Sequence, residues 1–289
     1  SRAIFLAMFI IYAFCLFSVG MLEQKATPQI EQNGIVDISY SDTQAGGNME
    51  GKEVRFGIAS SSFWAVTTTA ASNGSVNSMH DSYTPLGGGI TMLLMQLGEV
   101  IFGGVGCGLY GMLAFVIMTV FISGLMVGRT PEYLEKKIEP FEMKMASLVV
   151  IATPLIVVIG TAIACVIPSI QESLNNGGAH GFSEILYALS SAGNNNGSAF
   201  AAFSADTVPL NILLGIAMLL ARFVPIVLML AISGSIGKKK YIPSSAGTLA
   251  TNNGVFVTLL IIVVLMIGAL SFFPALALGP IVEQLQMLF

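Results

Sequence analysis

Two polar segments, Phe63-Trp-Ala-Val-Thr-Thr-Thr-Ala-Ala-Ser-Asn-Gly-Ser75 and Leu186-Tyr-Ala-Leu-Ser-Ser-Ala-Gly-Asn-Asn-Asn-Gly-Ser198, lie 123 residues apart and match in register. Aromatic-Ala, a hydroxyl pair and Asn-Gly-Ser coincide. The chemistry such a segment offers is coordination by neutral oxygen. Glycine admits positive φ and turns consecutive carbonyls to one side, and a ring of carbonyls can replace the hydration shell of a large monovalent cation. The candidate ligands are the backbone oxygens near Ser72, Asn73 and Gly74 and near Asn195, Asn196 and Gly197. Neither segment holds a carboxylate, which argues against a divalent ion there.

The rest of the chain must position these oxygens, and its composition says in what medium. Of 289 residues, 54% are hydrophobic and 10% charged, with a mean hydropathy of +0.81; soluble domains carry about 25% charged residues. An all-α integral membrane protein in a lipid bilayer is expected. The net charge of −4, with no basic tract suited to nucleic acid, gives no reason to propose such a partner. Cys15, Cys107 and Cys165 are far apart in apolar runs and form no disulfide framework or metal-ligand spacing.

Crossing segments are expected at Ala3–Leu22, Leu86–Val127, Ser147–Ile167, Val208–Ser233 and Asn253–Phe273. Leu86–Val127 would be about 63 Å long as one helix, twice the hydrocarbon thickness of about 30 Å. It must break, and the natural place is Gly103-Gly-Val-Gly-Cys-Gly-Leu-Tyr-Gly111, with glycines at 103, 104, 106, 108 and 111. Arg2, the basic residues from Arg129 to Lys144, and Lys238 to Lys240 fall on one side only if this stretch crosses once and the two polar segments dip in and return. That side is cytoplasmic by the positive-inside rule, which puts the C-terminus outside.

Before each Asn-Gly pair stands an apolar or hydroxyl-bearing stretch, about Ser61–Ala71 and Phe182–Ala192. As helices these are about 15–17 Å long, enough to reach the bilayer midplane. Irregular backbone at that depth is tolerated where it is buried or lines a watery path, and a helix C-terminus pointing there favours a cation. One Asn-Gly-Ser would read as a polar turn; two in register, each after a midplane-length helix, read as a pore lining.

Four stretches carry a family resemblance: Ala70-Ala-Ser-Asn-Gly74, Leu94 to Gly111, Gly128-Arg-Thr-Pro-Glu-Tyr-Leu134 and Gly193-Asn-Asn-Asn-Gly-Ser-Ala-Phe200. In these the chain resembles, along its whole length, the potassium-binding subunit (KdpA) of the bacterial Kdp potassium-transporting ATPases. The resemblance implies helix–pore-helix–helix repeats of the potassium-channel-like transporter superfamily, of which this chain looks like the third and fourth of four. Repeat three would be residues 1–127, a cytoplasmic link 128–146, repeat four 147–235, and a basic loop with a last helix 236–289. It further implies a potassium filter at Ser72, Asn73 and Gly74 and at Asn194, Asn195, Asn196 and Gly197, and a gating loop at Gly103, Gly104, Gly106 and Gly108. Potassium would be the substrate, with no covalent cofactor. The expected setting is the bacterial inner membrane. Its expected partners are a B component that is a P-type ATPase and hydrolyses ATP, small subunits C and F, and a missing N-terminal half. Glu135 departs from the family pattern, where a small residue is expected. A passive Trk- or Ktr-like pore without an ATPase partner is the alternative.

Arg222, in mid-span, costs at least about 2.5–3.5 kcal/mol facing lipid and should face the protein, guarding a cytoplasmic exit or binding loop carbonyls. Glu99, just before the glycine break, is placed to accept from its freed amides. Pro209 and Pro225 should kink their helix. Gly106 to Gly111 fits G-x-G-x-x-G but lacks the soluble strand a dinucleotide site requires, and His80-Asp81 reads as a polar cap at the pore mouth. No nucleophile–base pair or paired aspartates lie within the spans, which speaks against an intramembrane hydrolase.

Overall fold

The computed structural model describes residues 2–25, 39–104, 107–126, 128, 130–201, 203–243 and 248–288. Helix α1 spans Arg2–Gln24, α2 Gly57–Ala70, α3 Pro85–Gln96, α4 Gly108–Met126, α5 Pro140–Ala164, α6 Pro168–Gln171, α7 Gly178–Asn194, α8 Val208–Lys238, α9 Gly254–Leu276 and α10 Val282–Leu288. Among the described residues, α1, α4, α5, α8 and the continuous stretch Gly254–Leu288 are long and apolar enough to cross a membrane. The expected break falls between α3 and α4, where the chain leaves helical geometry from Leu97 to Gly104.

Helices α2 and α7 are the two half-helices; α2 keeps Ala59, Ser60 and Phe63 exposed, whereas α7 is enclosed. Every residue of α7 from Ser183 to Asn194 is buried, including Glu184, Ser190 and Ser191. A helix buried all round must be enclosed by others, and α7 packs on α5 and α8. There a Cβ on Gly193 would come within 2.6 Å of Val157 Cγ2, so the helices meet at a glycine. By contrast α8 turns Ile212, Leu219, Phe223, Val227 and Leu230 outward, as expected of a helix in an apolar medium.

Several element ends differ from the sequence expectations. Helix α5 starts at Pro140, inside the expected cytoplasmic link, because Glu139 and Glu142 form a reciprocal capping box with proline in the first turn. The rest of the link holds a small hairpin, Glu132–Tyr133 with Lys136–Lys137, turned by Leu134 and Glu135, both at positive φ. It docks on the end of α8, where Lys136 Nζ donates to the carbonyls of Ile236 and Lys239, each at 2.9 Å. Pro209 sits in the first turn of α8, where no carbonyl is displaced, so Pro225 is the interior proline there. Beyond Phe273 the last helix continues through a π-helical turn, Ala277–Ile281, into α10.

A buried ion pair ties the loop after α1 to the bundle. Lys52 Nζ lies 2.8 Å from Glu23 Oε2, with neither side chain exposed. Glu23 also accepts from Asn48 Nδ2 and from the backbone and hydroxyl of Thr84. The carboxylate thus joins the end of α1, the loop and the start of α3. Lys52→Met should cost the complete subunit about 3–5 kcal/mol, because it leaves a buried charge without its cation. Thermal unfolding in detergent should show that loss, and Glu23→Gln added to it should restore part of it.

Candidate ion-coordinating site

The two Asn-Gly-Ser segments adopt the same turn. Each half-helix ends with a residue in left-handed conformation, Ser72 at φ 54° and Asn195 at φ 57°. The next amide reaches back five residues: Asn73 N donates to the Thr68 carbonyl at 3.1 Å and Asn196 N to that of Ser191 at 2.9 Å, as in a Schellman cap. The asparagine side chain then closes a second turn, Oδ1 of Asn73 accepting from Ser75 N and Oδ1 of Asn196 from Ser198 N, each at 3.0 Å. The aromatic residue of each copy holds the serine eleven residues on. Trp64 Nε1 donates to the Ser75 carbonyl at 3.1 Å, and Tyr187 OH bonds Ser198 Oγ at 2.9 Å. Neither reach is an i, i+4 contact.

The turns meet. A Cβ built on Gly74 would fall 2.7 Å from the Asn196 carbonyl oxygen and 2.9 Å from Gly197 Cα. Gly197 itself has φ 101°, a conformation open mainly to glycine. Ser72 Oγ donates towards the Asn194 and Asn195 carbonyls at 3.4 and 3.5 Å. The two turns that carry all seven residues expected to coordinate an ion, Ser72 to Gly74 and Asn194 to Gly197, therefore pack against each other.

The glycine break lies against this site. Gly103 N donates to the Ala70 carbonyl at 3.3 Å, and a Cβ on Gly104 would meet that of Ser72 at 2.6 Å. Gly98, Glu99, Phe102 and Gly103 all have positive φ, so the connection is tightly wound. Gly103 and Gly108 approach so closely that a Cβ on Gly103 would lie 2.1 Å from Gly108 Cα. Gly106 lies outside the described residues.

Glu99 makes a different contact from the one expected. Its Oε1 accepts from Asn196 Nδ2 at 2.6 Å, and that same nitrogen donates to the Thr68 carbonyl at 2.8 Å. A fully buried carboxylate from the break therefore braces the second turn rather than the loop amides. Arg222 is half-buried on α8 and lines a cavity of about 70 Å³ with Gln96, Tyr110, Asn194 and Asn195, so it faces the protein.

A hydrogen-bonded chain leads from the 3₁₀ turn His80–Ser82 to the second turn, and its direction is fixed. Ser198 Oγ donates to Asn196 Oδ1 at 2.6 Å. Its single proton is then spent, so Tyr187 OH donates to Ser198 Oγ, and the tyrosine oxygen accepts from His80 Nδ1 at 2.7 Å. Burial, with the Lys52 charge adding to it, lowers the His80 imidazole to about 4. His80 is thus neutral at pH 7 and carries its proton on Nδ1. Tyr187→Phe should cost about 1–3 kcal/mol by stranding that buried N–H, read as a lower thermal midpoint; His80→Phe in the same protein should recover most of it. The sequence places His80 only as a mouth cap, and the aromatic at 187, matched to Trp64, is the signal that points to its partner.

Residues 1–285 match the family model described as potassium-transporting ATPase A subunit. The chain is 66% identical over 288 residues to the potassium-transporting ATPase potassium-binding subunit of Clostridium perfringens, covering 100% of this chain and 50% of that protein. The subunit of that name from Desulfovibrio desulfuricans is 62% identical over 288 residues, covering 99% and 49%. The one from Listeria monocytogenes serovar 1/2a is 56% identical over 283 residues, covering 98% and 49%. The chain spans about half the length of the curated relatives it matches.

Proposed function

The chain belongs to the potassium-transporting ATPase A subunit family, and on that premise we propose that it forms half of a potassium-selective path in an ATP-driven uptake complex. The observation that carries this reading is the meeting of two identically built turns at Gly74 and Gly197. Backbone oxygens of Ser72, Asn73 and Gly74 and of Asn194, Asn195, Asn196 and Gly197 coordinate potassium. The remaining sides of the ring come from the part of the subunit that corresponds to the rest of the relatives' length. Potassium is the substrate, and the site supplies no hydrolytic chemistry.

Below the filter, the glycine break with Gly103, Gly104, Gly106 and Gly108 acts as the gate. Glu99 couples it to the second turn, and Arg222 sets a positive charge at its cytoplasmic side. Residues 1–127 and 147–235 are successive helix–pore-helix–helix repeats, third and fourth of four, joined by the link 128–146 and followed by the last loop and helix, 236–289. The N-terminal end of this segment faces the cytoplasm and the C-terminal end the outside, in a bacterial inner membrane. ATP hydrolysis belongs to the B component, a P-type ATPase, with small subunits C and F alongside.

The test is growth of a potassium-uptake-deficient bacterium on low potassium, expressing the complete reading frame with and without the P-type ATPase. Growth only with both supports this reading. Growth with the reading frame alone replaces it by a passive pore.

A further inference from the structure

Three side chains with metal-binding groups converge at the outer end of α7, away from the ion path. His180 and Glu184 are four residues apart on that helix and so share a face. Asp81 reaches them from the 3₁₀ turn His80–Ser82. One ligand atom from each of Asp81, His180 and Glu184 lies within 4.8 Å of the other two, and His180 Nε2 is 2.9 Å from Asp81 Oδ1. Asp81 is 8% exposed and Glu184 fully buried. The other ring nitrogen, Nδ1, is held by Glu283 of α10 at 2.6 Å.

Two further observations point to a cation. Three carboxylates surround one imidazole, and among the described residues His180 is the cation paired with Asp81 and Glu283; buried negative charge in such excess calls for a further positive ion. Glu184 has only neutral donors on its two oxygens, the amides of Asn175 and Asn176 and Asn176 Nδ2, and no Lys, Arg or His ion pair to it is found among the described residues. The cluster also borders a polar cavity of about 400 Å³ lined by Asp81, Asn175, Asn176, His180 and Glu283, with room for water on open coordination positions.

We propose that Asp81, His180 and Glu184 bind a divalent transition-metal ion of the Zn²⁺ type. One imidazole and two carboxylates suit that ion at about 2.0–2.2 Å. On binding, the Nε2–H bond breaks, its proton leaves to solvent, and Nε2 bonds the metal in its place. Nδ1 keeps its proton for Glu283, giving the carboxylate–histidine–metal arrangement that fixes ring and tautomer. Because Asp81 follows the first coordinating segment and His180 precedes the second, the metal cross-links the outer ends of both. The site is chemically distinct from the filter, which has no carboxylate, and does not depend on potassium being the transported ion.

The test uses the complete subunit in its assembled complex, stripped with a chelator and titrated calorimetrically with Zn²⁺ alone. Wild type should bind one Zn²⁺ that Asp81→Asn and His180→Gln each weaken by about 100-fold or more, since even outer-shell partners cost about 10–100-fold. Asp81→Asn keeps the size and hydrogen bonding of the side chain, so it reports on ligation even if His180→Gln impairs assembly. Absence of Zn²⁺ binding, or equal affinity in wild type and Asp81→Asn, overturns the proposal and leaves His180 as a cationic clamp between Asp81 and Glu283.

Discussion

Gly74→Asp abolishes potassium uptake at low external potassium, and Gly74→Ala weakens it measurably. Where the two turns touch, the alanine methyl would sit 2.7 Å from the Asn196 carbonyl oxygen and 2.9 Å from Gly197 Cα, and backbone cannot swing aside as a flexible side chain can. An extra methyl forced into a packed site costs about 1–3 kcal/mol. If that strain falls on the coordinating oxygens, apparent potassium affinity drops about fivefold to 150-fold. Aspartate adds a charge in a ring built from neutral oxygen and removes selectivity as well. Gly197→Asp should behave the same way because its φ of 101° excludes a side chain without rearrangement. Gly215→Ala is the control: it lies on α8 with nothing within 4 Å of a built Cβ, and uptake should be unchanged. Uptake kinetics of the assembled complex read all four variants.

Gly103→Ala blocks transport while sparing potassium binding. Its methyl would fall 2.1 Å from Gly108 Cα and 2.8 Å from the Glu99 carbonyl oxygen, and its φ of 67° adds roughly 1–2 kcal/mol of left-handed strain for any L side chain. The break must therefore open, at a cost of several kcal/mol, whereas the turns at Ser72 and Asn195 are capped by their own helices and persist. Potassium binding to the purified complex should stay within about threefold of wild type, less than about 0.7 kcal/mol, and turnover should fall to background. Gly108→Ala should match it, since it meets the same contact from the other side at 2.2 Å. Equal loss of binding and turnover would make the break part of the filter rather than a separate gate.

The spans, the break and the paired half-helices were legible because each rests on one-dimensional signals: apolar length, glycine density and a motif in register. The register of 123 residues held down to single hydrogen bonds, with Thr68 and Ser191, Asn73 and Asn196, and Ser75 and Ser198 in matching roles. Helix starts were less legible. Gly57 and Gly178 open α2 and α7 four residues before the apolar pattern begins, since glycine, serine and histidine there carry no period. Glu139-Pro-Phe-Glu142 was a readable capping signal, but its place in a charged stretch made it look like linker. The hairpin at Leu134 and Glu135 had no glycine or asparagine to announce positive φ. What the sequence could not display were the long-range pairings, such as Glu99 with Asn196, Lys52 with Glu23, and His180 with Glu283. These join residues tens of positions apart, and only packing decides them.

The central claim is that the repeated turns hold potassium through backbone oxygen. Rubidium exchanged into crystals of the complete complex tests it most directly through its anomalous scattering. The account predicts a peak between the carbonyls of residues 72–74 and 194–197, absent in Gly74→Asp. Peaks confined to other parts of the complex, with none between these turns, would contradict it.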